Sequence, residues 1–195
     1  MRTSLYPLAL AALLASAGVS AGTLTTTLSV DNGYIAYLST SDNQTGLAFS
    51  NGNFWETSFT GQVVLEAGRD YYLHIYAYDQ GGLAGMLGQF AISDKRHYFA
   101  NGTQSLVTNT VNWKGNNVGF NGVYGSLIGQ GANGVTPWNT RPNIASNAQW
   151  IWAGNANSND AAYFTTKITA VPEPGSLALL GLGLGGLAIR RRRKA

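Results

Sequence analysis

His74 and His97 are the two histidines of a 195-residue chain that also carries nine carboxylates. Neither histidine has a ligand-type residue at i+2 or i+4, the spacing by which one element presents two donors to zinc. The body from Gly22 to Ala170 holds eight acids: Asp31, Asp42, Glu56, Glu66, Asp70, Asp79, Asp94 and Asp160. Glycoside hydrolysis needs two such groups to converge on one bond. Most of these stand in turn-like contexts, where a short carboxylate is favoured because it accepts local backbone hydrogen bonds. A Ser-His-Asp triad needs no adjacency in sequence and stays open. No Gly-x-Ser-x-Gly elbow occurs within the body. The expectation is no catalytic residue and no cofactor, with calcium as the one metal candidate. Asp31 and Asp79, with Asn32 and Asp160 nearby in type, are the loop oxygens it would use. No spacing matches an EF-hand, and turn formation explains the same residues.

A different chemistry is written in YYLHIYAYD, residues 71–79. Period-two alternation sends Leu73, Ile75 and Ala77 to one face and Tyr72, His74, Tyr76 and Tyr78 to the other. Such a strand is central, with both faces in use. The ring face either covers a second layer, such as the long segment from Asn101 to Asn147, or forms a platform on which sugar rings stack. Trp55 and Trp138 join Tyr72, His74, Tyr76 and Tyr78 as candidate ligand-binding residues.

The elements that must position these rings are strands. No stretch of the body keeps apolar residues at i, i+3, i+4 and i+7 over several turns. Short alternating runs recur instead at 24–30, 34–39, 57–65, 71–78, 87–93 and 163–169. Gly, Asn and Asp clusters separate them at 31–33, 66–70, 79–82 and 157–160. This spacing predicts an all-β fold, a single antiparallel β-sandwich. The 100–160 stretch is irregular and holds Trp113, Trp138, Trp150 and Trp152. In AQWIWAG, Trp150 and Trp152 fall on one side if the chain is extended.

Charge and the two ends bound the class. The formal charge of +3 misleads, because Arg2 and the cluster Arg190, Arg191, Arg192, Arg193 and Lys194 supply six of the twelve basic residues. The body holds six basic against eight acidic residues, a net of −2, which argues against nucleic acid as a partner. Residues 1–21 have a positive start, an apolar run and small residues before Gly22, the layout of a signal peptide removed by signal peptidase. Cysteine is absent, which excludes thiolate metal sites and disulfides. A body of this length buries a core without them. The expected organisation is therefore 1–21 signal, 22–170 β-sandwich and 171–195 tail.

That tail reads VPEPGSLALLGLGLGGLAIRRRRKA. Its apolar run, 175–189, spans about 22 Å as a helix, short against a hydrocarbon core of about 30 Å. The basic cluster stays cytoplasmic by the positive-inside rule. The order of Pro172, Glu173 and Pro174, a short apolar transmembrane helix and a basic end resembles the PEP-CTERM sorting tail of Gram-negative envelope proteins. The resemblance implies transient residence in the inner membrane, recognition by an exosortase and cleavage near the Pro-Glu-Pro triplet. It also implies association with exopolysaccharide and biofilm. Residues 23–169, through VDNGYIAYLS, Trp55 and VVLEAGRDYYLHIYAYDQGGLAGMLGQFAIS, resemble galactose-binding-like jelly-roll modules appended to carbohydrate-active enzymes. Together these readings describe an exported envelope or matrix protein with a structural or adhesive role and contacts to polysaccharide. A matrix-glycan hydrolase and a protein-binding surface subunit are the alternatives.

Overall fold

In β1 (Gly22–Asp31) alternation buries Leu24, Thr26, Leu28 and Val30 on one face, while Thr23, Thr25 and Thr27 lie half-exposed on the other. The computed structural model describes residues 21–172, and the same period-two logic holds through most of it. After β1 come β2 (Gly33–Ser39), β3 (Leu47–Gly52), β4 (Phe59–Leu65), β5 (Tyr71–Tyr78) and β6 (Gly85–Ile92). Five short strands follow: β7 (His97–Phe99), β8 (Ser105–Val107), β9 (Lys114–Asn116), β10 (Ile128–Ala132) and β11 (Gln149–Trp152). β12 (Ala161–Ala170) ends the body. There is no helix among the described residues. Residues 1–20 of the expected signal peptide (1–21) and residues 173–195 of the expected tail (171–195), with the apolar helix expected there, lie outside them.

Two six-stranded antiparallel sheets form the sandwich. The first runs β10-β11-β6-β1-β4 with β8 also paired to β6; the second runs β3-β2-β5-β12-β7 with β9 also paired to β12. Between them lies one core of Leu24, Leu28, Val30, Leu73, Ile75, Ala77, Phe90, Phe99, Phe164 and Ile168, all nearly or fully buried. Each large aliphatic or phenylalanine side chain withdrawn from water contributes roughly 1.5–3 kcal/mol, and together they hold the sheets face to face.

All six expected strands are present, with shifted ends. β4 starts at Phe59 because Thr57 closes a turn onto the Phe54 carbonyl (3.2 Å). β6 starts at Gly85, paired with Asp31, where a glycine gave no strand signal. β3 and β7–β11 were not expected. Sequences such as KGN and IGQGA are too short and too glycine-rich to declare themselves, and tertiary pairing decides them.

The irregular 133–150 segment forms a further layer on the outer face of the first sheet. Leu87, Trp138, Ile144, Ala148 and Trp150 make a second buried cluster there. Trp138 stacks on Trp150 with centroids 4.4 Å apart and planes 17° apart. The pair rests on Gly85, where an added Cβ would stand 2.8 Å from the Trp138 ring and 2.9 Å from that of Trp150. Asn133 ties the segment internally. Its Nδ2 donates to the carbonyls of Arg141 (3.0 Å) and Ile144 (2.8 Å), and its Oδ1 accepts from the Arg141 amide (2.7 Å).

Trp150 and Trp152 do not share one environment, contrary to the expectation for an extended AQWIWAG. Trp152 joins the inter-sheet core, edge-on to Phe164 at 5.8 Å. Trp150 belongs to the outer cluster. β11 is held to β6 by a single residue pair, Ile151 with Met86, and its register against β10 is broken between Gly129 and Ala132. So short and irregular a strand is free to divide its two indoles.

Candidate functional site

The outer face of the second sheet is a lattice of rings set by register. Across it, Ile35 of β2 stands beside Tyr76 of β5, which stands beside Tyr163 of β12. In the next row Tyr37 faces His74 and His74 faces Thr165; in the row beyond, Ser39 faces Tyr72 and Tyr72 faces Lys167. Cross-strand neighbours on one face stand about 4.5–5.5 Å apart at Cβ, so the rings touch. Tyr76 and Tyr163 lie 5.1 Å apart, and Tyr76 and Tyr78 6.0 Å.

One loop residue closes part of this face. Phe120 lies flat on His74, with centroids 4.6 Å apart and planes 10° apart, and meets Tyr37 and Tyr163 edge-on at 5.8 and 5.1 Å. The turn that delivers it is built by Asn116, whose Oδ1 accepts from the amides of Val118 (2.9 Å) and Gly119 (3.0 Å). Gly119 has φ of 142°, which disfavours any side chain there. Tyr124 anchors the far side of the loop by donating to the carbonyl of Asp42 or Phe120, each 3.1 Å away.

Asp42 organises the layer beneath. Its Oδ1 accepts from Thr165 Oγ1 (2.6 Å) and lies 3.4 Å from His74 Nε2. His74 is fully buried. Burial pushes its pKa below the ordinary histidine value, and Asp42 opposes the shift only partly. Burial, and then the charge of Asp42, raise the Tyr124 hydroxyl far above its usual range. The three groups form a scaffold that fixes the segment carrying Asn43, Gln44 and Thr45.

Beside this scaffold opens a cleft of about 590 Å³ lined by Tyr37, Tyr76, Tyr163 and Phe120, with Asn43, Gln44, Thr45, Gly119 and Asn121 at its rim. Tyr37, Tyr76 and Tyr163 are half-exposed; Asn43, Gln44, Thr45 and Asn121 are exposed. Burial, followed by the neighbouring tyrosines, pushes the Tyr37 and Tyr76 hydroxyls up, so both remain protonated donors. Among the described residues, no carboxylate, histidine or cation lines the cleft. A second depression of about 330 Å³ lies beyond Asp42, with Tyr72, Lys114 and Lys167 in its wall.

The structure thus distributes the candidate ligand-binding residues. Tyr72, Tyr76 and Tyr78 stand half-exposed on the expected face. His74 does not offer a ring face, because Phe120 covers it. Trp138 offers none either, being 1% exposed within the other sheet's outer layer, where its indole nitrogen donates to Asp31 Oδ2 (2.8 Å). Trp55 packs against that same distant cluster, with the Arg141 guanidinium 5.2 Å over its ring. Tyr37, Tyr163 and Phe120 were not singled out. Alternation in β2 and β12 places the two tyrosines outward, but only the register joins them to Tyr76.

Asp31 and Asp79, the calcium candidates, come together at the end of the sandwich. Burial raises the Asp31 pKa, the Trp138 bond opposes this, and the Asp79 charge adds to it. Asp79 accepts from the Gly81 amide (3.0 Å), a turn-forming bond, and Asn32 Oδ1 accepts from the Gln80 amide (2.6 Å), tying the two loops together. No group of three or more His, Cys, Asp or Glu able to hold a metal occurs among the described residues.

Residues 170–193 match the family model of the PEP-CTERM protein-sorting motif. The match begins at Ala170, the last residue of β12, and implies an exported, exosortase-processed protein with a C-terminal anchor. No curated protein and no solved structure matches the chain.

Proposed function

We propose that this protein is an adhesive or structural component of the envelope or extracellular matrix of a Gram-negative bacterium, and that its body binds exopolysaccharide through the Tyr37–Tyr76–Tyr163 cleft. The observation that carries this reading is the cleft's composition. Half-exposed tyrosines supply apolar ring faces with polar tips, and Asn43, Gln44 and Asn121 surround them with groups that both donate and accept. A pyranose presents the matching surface, an apolar C–H face ringed by hydroxyls. The sorting tail directs the chain to a compartment where such polymers accumulate. The lining offers neither a nucleophile–base pair nor two carboxylates, which supports binding without hydrolysis.

Affinity electrophoresis of the exported protein in gels containing the exopolysaccharide of its host tests this. The wild type is retarded, and Tyr76→Ala and Tyr163→Ala migrate freely. Unretarded wild type, or release of reducing ends on incubation, refutes the reading.

A further inference from the structure

We propose that the cleft selects a neutral, hydroxyl-rich glycan chain and rejects polyuronates and other acidic glycans. This rests on the polysaccharide reading above and narrows its ligand class. Recognition of a sugar carboxylate or sulfate calls for a guanidinium or ammonium within hydrogen-bond reach. None lines this cleft among the described residues.

The cations of the body are engaged or placed elsewhere. Arg69 pairs with Glu66 at 2.9 Å, and Lys167 pairs with Asp70 at 2.7 Å. Arg141 is 8% exposed, beside Trp55 on the other sheet's side. Lys114 is the register partner of Thr165 and lines the second depression together with Asp42, outside the cleft lining. Lys95 and Arg96 lie in the turn before β7, where the Val171 amide donates to the Arg96 carbonyl (2.7 Å). That is the end of β12 opposite to Tyr163.

The charge closest in sequence to the rim is negative. Asp42 immediately precedes Asn43, and its side chain is 43% exposed. Asp42 accepts from Thr165, two residues along β12 from Tyr163, so a polyanion laid over Tyr76 and Tyr163 would meet repulsion from this carboxylate. The rim amides and the protonated Tyr37 and Tyr76 hydroxyls, by contrast, match sugar hydroxyls in both donor and acceptor sense. Ring faces and amides give a binding strength that salt hardly alters.

The exported protein is run by affinity electrophoresis against dextran, galactomannan and xyloglucan as neutral probes, and against alginate and polygalacturonate as acidic ones. Bio-layer interferometry at low and high salt gives the affinities. A neutral polymer is retained, with salt-independent affinity that falls about tenfold or more in Tyr76→Ala and in the exposed-loop variant Asn121→Ala. Asn121→Lys, which places a cation at the rim, gains retention on alginate. Salt-sensitive retention of alginate or polygalacturonate by the wild type, stronger than for any neutral polymer and lost in Tyr76→Ala, overturns the neutral assignment and leaves polysaccharide binding standing. Retention of none of the probes or of the host polymer overturns both. Circular dichroism of each variant separates lost binding from lost folding.

Discussion

Phe120 covers His74 face to face at 4.6 Å, so the one histidine on the ring face of β5 is sealed between an aromatic plane and the Asp42 carboxylate. The contact joins the loop after β9 to the middle of the second sheet and forms one end of the cleft.

The folded protein disfavours the charged form of His74, because burial lowers its pKa below the ordinary 6.5. The unfolded chain then binds more protons between the two values. Stability is fully present above about pH 6.5 and is lost as pH falls from there through the folded-state pKa. Thermal melts from pH 8 to pH 5 will show Tm falling on the acid side, and His74→Gln will flatten that decline while lowering Tm at pH 8. An unchanged acid slope in the variant would show that His74 is not its source.

Asp31 carries the opposite sign. Its raised pKa means the folded state resists ionisation, so stability is lost as pH rises from 3.8 through the folded-state value. Asp31→Asn keeps an oxygen acceptor for the Trp138 indole nitrogen and removes the charge facing Asp79. We expect Tm of the variant at pH 7 to equal or exceed that of the wild type. A large drop would show that the carboxylate charge is itself needed.

The Trp138–Trp150 stack rests on Gly85 with no room for a methyl group. Gly85→Ala forces one indole to move and will cost about 1–3 kcal/mol, the range for overpacking a tight interior. Trp138→Ala empties the same place at about 3–5 kcal/mol. Urea unfolding of the two variants measures both. Because the stack belongs to the layer on the first sheet's outer face and the cleft to the second sheet, glycan binding by the folded variants should stay at the wild-type level.

The end of β12 sets a boundary for processing. Ala170 is paired with His97 and donates to Asp70 Oδ1 (2.8 Å), and the Val171 amide donates to the Arg96 carbonyl (2.7 Å). A peptidase requires an extended, unpaired chain, so cleavage must fall beyond Val171. Intact mass of the exported protein will give a C-terminus near Pro174 and none before Pro172. A mature end inside β12 would mean that the strand opens for cleavage.

The alternation of YYLHIYAY is local, because successive residues of a strand must point to opposite faces. The chain therefore declares by itself that Leu73, Ile75 and Ala77 enter a core and that a row of rings faces away. The same local logic marks the six principal strands, and the tail's three parts are legible because a processing enzyme reads them as linear sequence. What the rings do was not legible. Tyr37, Tyr76 and Tyr163 come from three strands far apart in the chain, and hydrogen-bond register across β2, β5 and β12 makes them neighbours. Trp138 carries the same indole as any exposed tryptophan, and only the folding of 133–150 onto Gly85 buries it. Whether a ring packs or binds depends on what lands on it. His74 receives Phe120 and becomes interior, while Tyr76, the next ring on its strand face, stays half-open. Long-range packing energy decides between those outcomes, and no window of sequence contains it.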